Sequence, residues 1–168
     1  MHASNREWMA DVKLNHLENF QNASVLDIGG ADLDGHTRTY FDDCRYVSVD
    51  PINIPTQYVD LRIRGQETEF QPGEFDTLLF MSVFEHDADW RLNLKHNLKW
   101  LKKGGLVVIC FGAEGNLPHS DPWEIVPHQK FLSYCRKLGV KILDAFFEEE
   151  RYGNDCPGAY NVLLRKMT

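Results

Sequence analysis

Two aspartates and a pair of glycines carry the chemistry this sequence offers. In VLDIGGADLDG, residues 25 to 35, Asp27 interrupts an apolar run that is followed at once by Gly29 and Gly30. Asp50 closes a second run, YVSVD, 23 residues after Asp27. Glycines beyond an apolar run let a ligand approach the backbone closely, and a strand-to-helix turn offers backbone N–H groups. A carboxylate only accepts hydrogen bonds, so Asp50 suits a ribose diol that donates two. Asp27 either orients the glycine turn or faces a cationic ligand group.

The spacing argues against one common nucleotide site. A dinucleotide fingerprint needs G-x-G-x-x-G. Counted from Gly29, Ala31 and Asp34 occupy the next two glycine positions, and counted from Gly30, Asp32 occupies the second. An acid in the strand body is also atypical of that fingerprint. Asp50 alone would fit NAD equally well, but a nicotinamide-dependent oxidoreductase needs the pyrophosphate loop that is missing.

Three histidines are candidate proton acceptors: His86 in FEHDAD, His119 in LPHSDPW and His128 in VPHQKF. His86 is either a base or a structural residue beside Glu85, which would brace its loop. His119 forms a wall or lid with Trp123, or is an ordinary polar loop residue. His128 lies near a helix start, where a capping or surface role is expected.

The elements that must position these residues alternate. Periodicity predicts a helix over residues 5 to 20, with Trp8, Met9, Val12, Leu17 and Phe20 on one side. Strands are expected at 24–28, 45–50, 57–60, 75–83, 106–111, 140–148 and 159–166. Helices are expected from about Gly35 to Asp42, over 88–102 with Gly104 and Gly105 ending it, and over 127–138 with Gly139 ending it. Strands that are apolar throughout, alternating with helices, predict a doubly wound α/β fold: a Rossmann-like, seven-stranded, mostly parallel sheet covered on both faces. The last two strands are close enough to form an antiparallel C-terminal hairpin. One connection is odd: only the seven residues PINIPTQ separate Asp50 from Tyr58. A parallel crossover needs roughly 10–12, so the helix expected there must be missing or reduced to a turn. The whole chain, 1–168, reads as one domain, an N-terminal helix (1–21) on a core (22–168), with no repeat or linker.

Composition narrows the partners. The 168 residues are 43% hydrophobic with a formal net charge of -7, which argues against a generic nucleic-acid binder. The basic cluster, KKGG with nearby lysines over residues 95 to 103, is expected at a helix end, where cations suit the dipole. No apolar run is long enough to span a bilayer, and MHASNREWMA lacks the pattern of a secretory signal. The four cysteines form no C-x-x-C pair; Cys110 and Cys135 read as buried thiols. A reduced, cytoplasmic setting without a disulfide framework or zinc site is expected.

The segments VLDIGGADLDG, YVSVDPIN, YVDL, GEFDTLLFMSVFEHDAD, LKWLKKGGLVVICF, LPHSDPWEIVPHQKFLSYCRKLGV and YNVLLRK together resemble the class I S-adenosylmethionine-dependent methyltransferases, most of all the small methyltransferase type 11 branch. The first-strand pattern of that family is hydrophobic–hydrophobic–Asp/Glu–x–Gly–x–Gly, which VLDIGGA follows through Gly29, with Ala31 at the second glycine. The resemblance spans roughly residues 22 to 166. It implies S-adenosylmethionine as cofactor and S-adenosylhomocysteine as product. It places Gly29, Gly30 and Ala31 along the methionine moiety, with Asp27 among the cofactor-binding residues, Asp50 on the ribose and Ile52 under the adenine. Asp60 and the Leu61 backbone would meet the adenine amino edge, and Met81 and Ser82 would lie beside the sulfonium. Some members share the very short link after the second strand.

Methyl transfer needs mainly positioning of the acceptor; a base, His86 or His119, is needed only if the acceptor must lose a proton. A metal site of the form E-x-x-E-H is incomplete, because Ser82 stands at its first Glu; no metal is expected. The acceptor is expected to be a small molecule, and its identity is not legible. Its pocket is shallow, completed by another subunit in a homo-oligomer, or open to a large substrate. The alternative is a protein of the same fold that binds S-adenosylmethionine or a partner without catalysis, which Ala31, the small size and the lack of an accessory domain motivate.

Overall fold

The computed structural model describes residues 3–31, 37–53, 58–112, 126–147 and 158–168. Helix α1 (Ala3–Asn15) leads into a short 3-10 turn, Leu17–Asn19, and then strand β1 (Ser24–Ile28). After β2 (Arg45–Val49) come β3 (Phe75–Met81), α2 (Trp90–Asn97), β4 (Leu101–Gly112), α3 (His128–Cys135), β5 (Val140–Phe147) and β6 (Ala159–Lys166). They build one sheet in the order β2-β1-β3-β4-β6-β5. The pairs β1–β2, β1–β3 and β3–β4 are parallel, and β6 runs antiparallel to both β4 and β5. The Rossmann-like α/β sheet with an antiparallel C-terminal pair is therefore present.

Among the described residues six strands stand where seven were expected. Around Asp60 the chain makes only an isolated bridge, Val49 to Leu61. The N–H groups of Asp60 and Leu61 both donate to the Ser48 carbonyl, and Asp50 donates to the Leu61 carbonyl. The Ser48 N–H, however, donates to the Asp60 carboxylate at 2.8 Å. A side chain has taken the place of a ladder carbonyl, and this competition stops a strand from forming. The crossover helix is also absent among the described residues. In its place Gly65–Glu67 forms one 3-10 turn, bonded to α2. Asn97 donates to the carbonyls of Gly65 and Asn93 and to Asn93 Oδ1, and it accepts from Thr68 Oγ1. Trp100 Nε1 donates to the same Thr68 hydroxyl. A buried amide network thus does the covering a helix would do, with Asn97 fully buried.

Each face of the sheet has its own core. On one side Leu26, Ile28, Leu78, Phe80, Val107 and Ile109 pack under α2 and α3. On the other, Val25, Leu79, Leu106 and Val108 pack under α1. Trp8 is buried there, edge-on to Phe146 at 6.0 Å, so the N-terminal helix packs against the sheet through it. Leu17, expected on the same side, is 44% exposed. The helix breaks at His16, whose φ and ψ are -142 and 46, so Leu17 restarts in a new phase.

Two other expected helices are shorter. Between β1 and β2 only a 3-10 turn, Thr37–Tyr40, is formed among the described residues. Helix α2 stops at Asn97, and KKGG lies inside β4 rather than at a helix end. Opposite β3, the register jumps from Phe75–Leu101 to Thr77–Leu106. The intervening residues bulge outward, with Gly104 at φ +81, and Lys102 pairs with Asp76 at 2.7 Å. A β-carbon on Gly105 would stand 2.6 Å from Leu101 Cδ1 and 2.8 Å from the Asp76 carbonyl. The two glycines therefore serve a bulge, a position where glycine is as favoured as at a helix end.

Candidate active site

Strand register brings the candidates to one edge. Ile28 pairs with Val49 on one side and with Phe80 on the other. The next residues, Gly29, Asp50 and Met81, therefore leave three adjacent strands at the same carboxyl edge, where open α/β sheets bind ligands. Gly29 turns with φ +80, and its N–H and that of Gly30 donate to the Val49 carbonyl at 2.7 and 3.3 Å. These two N–H groups are thus committed to the fold, contrary to the expectation that the turn would present them. The glycines are needed for closeness. A β-carbon on Gly29 would lie 2.3 Å from Val83 Cγ2, and one on Gly30 would lie 2.8 Å from Asp27 Oδ2 and 2.9 Å from Ser48 Cβ.

Asp27 is 5% exposed, and Tyr46 Oη donates to its Oδ2 at 2.7 Å. Alternation along β2 puts Tyr46, Ser48 and Asp50 on the face shared with Asp27. The Arg38 guanidinium lies 4.6 Å from the Tyr46 ring centre and 3.4 Å from Asp60 Oδ2. Ser48 Oγ shares that oxygen at 3.0 Å. Asp27 thus braces the glycine turn from beneath it. Ala31 is 4% exposed, so its methyl group is covered by protein and does not project into open solvent.

The outer positions differ. Asp50 is half-buried, and its Oδ1 accepts from the Ile52 N–H at 2.8 Å. The Ile52 carbonyl accepts from Arg62 at 2.8 Å. Asp60 and Leu61 are exposed, but the Leu61 N–H is spent on Ser48. Ser82 is exposed at φ +58, in the left-handed region that a non-glycine residue rarely adopts. Its N–H donates to the Cys110 carbonyl at 2.7 Å, which pins the end of β3 to β4. Gly29, Asp50, Ile52, Met81 and Ser82 thus offer a partly accessible edge, with a carboxylate at one end and a strained turn at the other. The Asp50 carboxylate, an acceptor, can receive the hydrogen bonds that a diol donates.

His86 is exposed on the short turn Phe84–His86, and its N–H donates to the Val83 carbonyl at 3.0 Å. His119 and Trp123 lie outside the described residues. His128 is the first residue of α3, exposed, with its ring 5.2 Å from that of Tyr160. Among the described residues no three His, Cys, Asp or Glu side chains are grouped to hold a metal ion. No described helix is long and apolar enough to cross a membrane.

Sequence reasoning missed one contributor, Tyr46, and the bonding partner of another, Glu85. Tyr46 was visible only as an alternating position of YVSVD, and nothing in the string pairs it with Asp27. Glu85 is the other. It is 7% exposed, and its Oε1 accepts from the Gly112 N–H at 3.1 Å. Burial pushes its carboxyl up to about 7, against the pull of two backbone N–H bonds. The brace expected of Glu85 therefore joins the turn after β3 to the last residue of β4.

The methyltransferase domain family matches residues 1–122 of the chain. No curated protein matches it in sequence. Solved structures share its fold. The 1,6-didemethyltoxoflavin-N1-methyltransferase of Burkholderia thailandensis, solved with bound 1,6-didemethyltoxoflavin and S-adenosylhomocysteine, superposes with a TM-score of 0.71 at 17% identity, over 99% of this chain and 79% of that one. The N-methyltransferase NodS of Bradyrhizobium japonicum WM9 gives 0.71 at 11% identity, over 98% and 97%. The [4+2]-cyclase SpnF gives 0.71 at 15% identity, over 96% and 81%.

Proposed function

We propose, from the premise that this chain belongs to the methyltransferase domain family and is an S-adenosylmethionine-dependent methyltransferase, that it methylates a small-molecule acceptor. The observation that carries this reading is the common edge of Gly29, Asp50 and Met81, set by the pairing of Ile28 with both Val49 and Phe80. Asp50 would hold the ribose hydroxyls with the carboxylate that already caps the Ile52 N–H. Ile52 would lie under the adenine, and Asp60 and Leu61 at its amino edge. Gly29 would approach the methionine moiety, while Gly30, Asp27 and Ala31 would act from behind it by holding the turn. Met81 and Ser82 would flank the sulfonium.

When bound, S-adenosylmethionine supplies an already activated methyl group. The residues of this chain are left to orient the two reactants and exclude water. His86, exposed on the Phe84–His86 turn that follows Ser82, would take a proton from an acceptor that must lose one; His119 is a second candidate for that role. A net charge of -7 supports a small acceptor over a nucleic acid. The Burkholderia thailandensis structure, which has both 1,6-didemethyltoxoflavin and S-adenosylhomocysteine bound, supports a small acceptor for this fold. The whole chain acts as one domain, in the cytoplasm, where its cysteines stay reduced. A second copy of the chain would complete an acceptor pocket that one copy leaves shallow. The cyclase neighbour is a reminder that this fold alone does not name a reaction.

The test is turnover. Protein is incubated with S-adenosylmethionine carrying a deuterated methyl group and a metabolite extract, and the products are read by mass spectrometry. Labelled methyl on low-molecular-weight species, with matching S-adenosylhomocysteine release, supports the reading. Label found only on protein or nucleic acid refutes the small acceptor.

A further inference from the structure

Glu85 stands apart from the residues used so far. It lies on the turn that follows β3, three residues beyond Ser82, and it reaches across to the Gly112 N–H at the end of β4. Its carboxyl therefore sits between the carboxyl ends of two adjacent parallel strands, the edge at which open α/β sheets bind ligands. The side chain is more than nine-tenths buried, 7% exposed. Yet Oε2 has no hydrogen-bond partner among the described residues.

A carboxylate that served only to brace the loop would need one oxygen. Leaving the second buried and unbonded is costly, and native structures rarely do so without a use for the group. A glutamine could hold the Gly112 N–H with its amide oxygen without burying a charge. No charged side chain draws a proton off this carboxyl; the influences on it are burial and two backbone N–H groups. What is missing at Oε2 is a hydrogen-bond donor.

We propose that Glu85 is a specificity residue for the acceptor, its Oε2 receiving a hydrogen bond from an N–H or O–H group next to the atom that is methylated. This rests on the methyltransferase reading above and narrows its substrate class to acceptors that carry an N–H or O–H beside the methylated atom. Acceptors without such a group there would leave Oε2 unbonded and would bind worse. Although burial pushes the carboxyl up to about 7, at slightly alkaline pH most of it is ionised, the form that accepts.

The experiment needs no knowledge of the natural acceptor. The protein, loaded with S-adenosylhomocysteine, is titrated at pH 8 with pyrrole, which donates one N–H, and with furan, its aprotic isostere. Binding is followed by NMR at the Gly112 amide. The expected result is pyrrole binding about tenfold tighter than furan, with a shift of the Gly112 amide on pyrrole only. Glu85→Gln, which presents a donor in place of Oε2, should erase the difference and leave S-adenosylhomocysteine affinity within about threefold. Equal binding of pyrrole and furan by the wild-type protein overturns the proposal, as does a preference that survives in Glu85→Gln. If that variant does not fold, the wild-type comparison at Gly112 decides alone. A wild-type protein that binds no S-adenosylhomocysteine brings down the methyltransferase reading and this proposal together. One that binds it without preferring pyrrole brings down only the proposal.

Discussion

Tyr46→Phe removes one hydroxyl and tests whether Asp27 works as an internal brace. Tyr46 Oη donates to the carboxylate at 2.7 Å, and Asp27 is 5% exposed. A hydrogen bond to a charged group contributes about 1.5–3 kcal/mol. The phenylalanine ring keeps the volume and the face on which Arg38 stacks at 4.6 Å, so little else changes. For a chain of this size each kcal/mol lowers the melting temperature by about 2–4 °C, which gives a fall of roughly 3–12 °C. Urea unfolding followed by tryptophan fluorescence should show a lower midpoint with an unchanged slope. Because a β-carbon on Gly30 would lie 2.8 Å from the same Asp27 oxygen, loosening the carboxylate should also loosen the turn and weaken S-adenosylhomocysteine binding. A loss of stability below about 0.5 kcal/mol would refute the reasoning, because Tyr46 would then contribute nothing that water does not.

Other perturbations have equally definite expectations. Gly29→Ala combines a φ of +80 with a β-carbon 2.3 Å from Val83 Cγ2; strain and overpacking together should cost about 2–5 kcal/mol, read by chemical denaturation. Asn97→Ala abolishes four buried hydrogen bonds, two to Asn93 within α2 and two that hold the Gly65–Thr68 turn to α2, and orphaned buried partners cost about 1–3 kcal/mol each. The protein should lose at least about 3 kcal/mol, and hydrogen exchange should rise first in residues 62–70. Glu85 makes stability depend on pH. Its carboxyl keeps its proton up to about 7 when folded but only to 4.5 when unfolded, so the unfolded chain binds fewer protons between those values and stability falls as pH rises through them. The loss amounts to about 3 kcal/mol at 1.36 kcal/mol per tenfold. The stability of Glu85→Gln relative to wild type should therefore improve by that amount from below about pH 4.5 to above about pH 7, measured by denaturation at each pH.

Much of the frame was legible because apolar runs bounded by turn residues have few alternatives. The segments SVLDI, RYVSV and AYNVLLRK became β1, β2 and β6 with almost the expected limits. What failed did so where a side chain or an isolated geometric detail outweighed the pattern. Asp60 spends its carboxylate on the Ser48 N–H, so YVD never became a strand, and no periodicity reports such a competition. Gly104 and Gly105 read equally well as a helix stop or as a bulge; the choice was made by the register of β4 against β3, which is non-local. The shared edge of Gly29, Asp50 and Met81 was foreseeable from strand ends alone. The Tyr46–Asp27 and Glu85–Gly112 contacts were not, because each joins residues 19 and 27 positions apart through side-chain geometry that a string of letters does not contain.

The central claim is that this edge holds S-adenosylmethionine through Asp50 and the glycine turn. Isothermal calorimetry of S-adenosylmethionine, S-adenosylhomocysteine and NAD, on wild type and Asp50→Ala, tests it most directly. The account predicts roughly micromolar binding of the first two, no binding of NAD, and a loss of at least about tenfold in Asp50→Ala. Binding of NAD, or S-adenosylhomocysteine affinity that Asp50→Ala leaves unchanged, would contradict it.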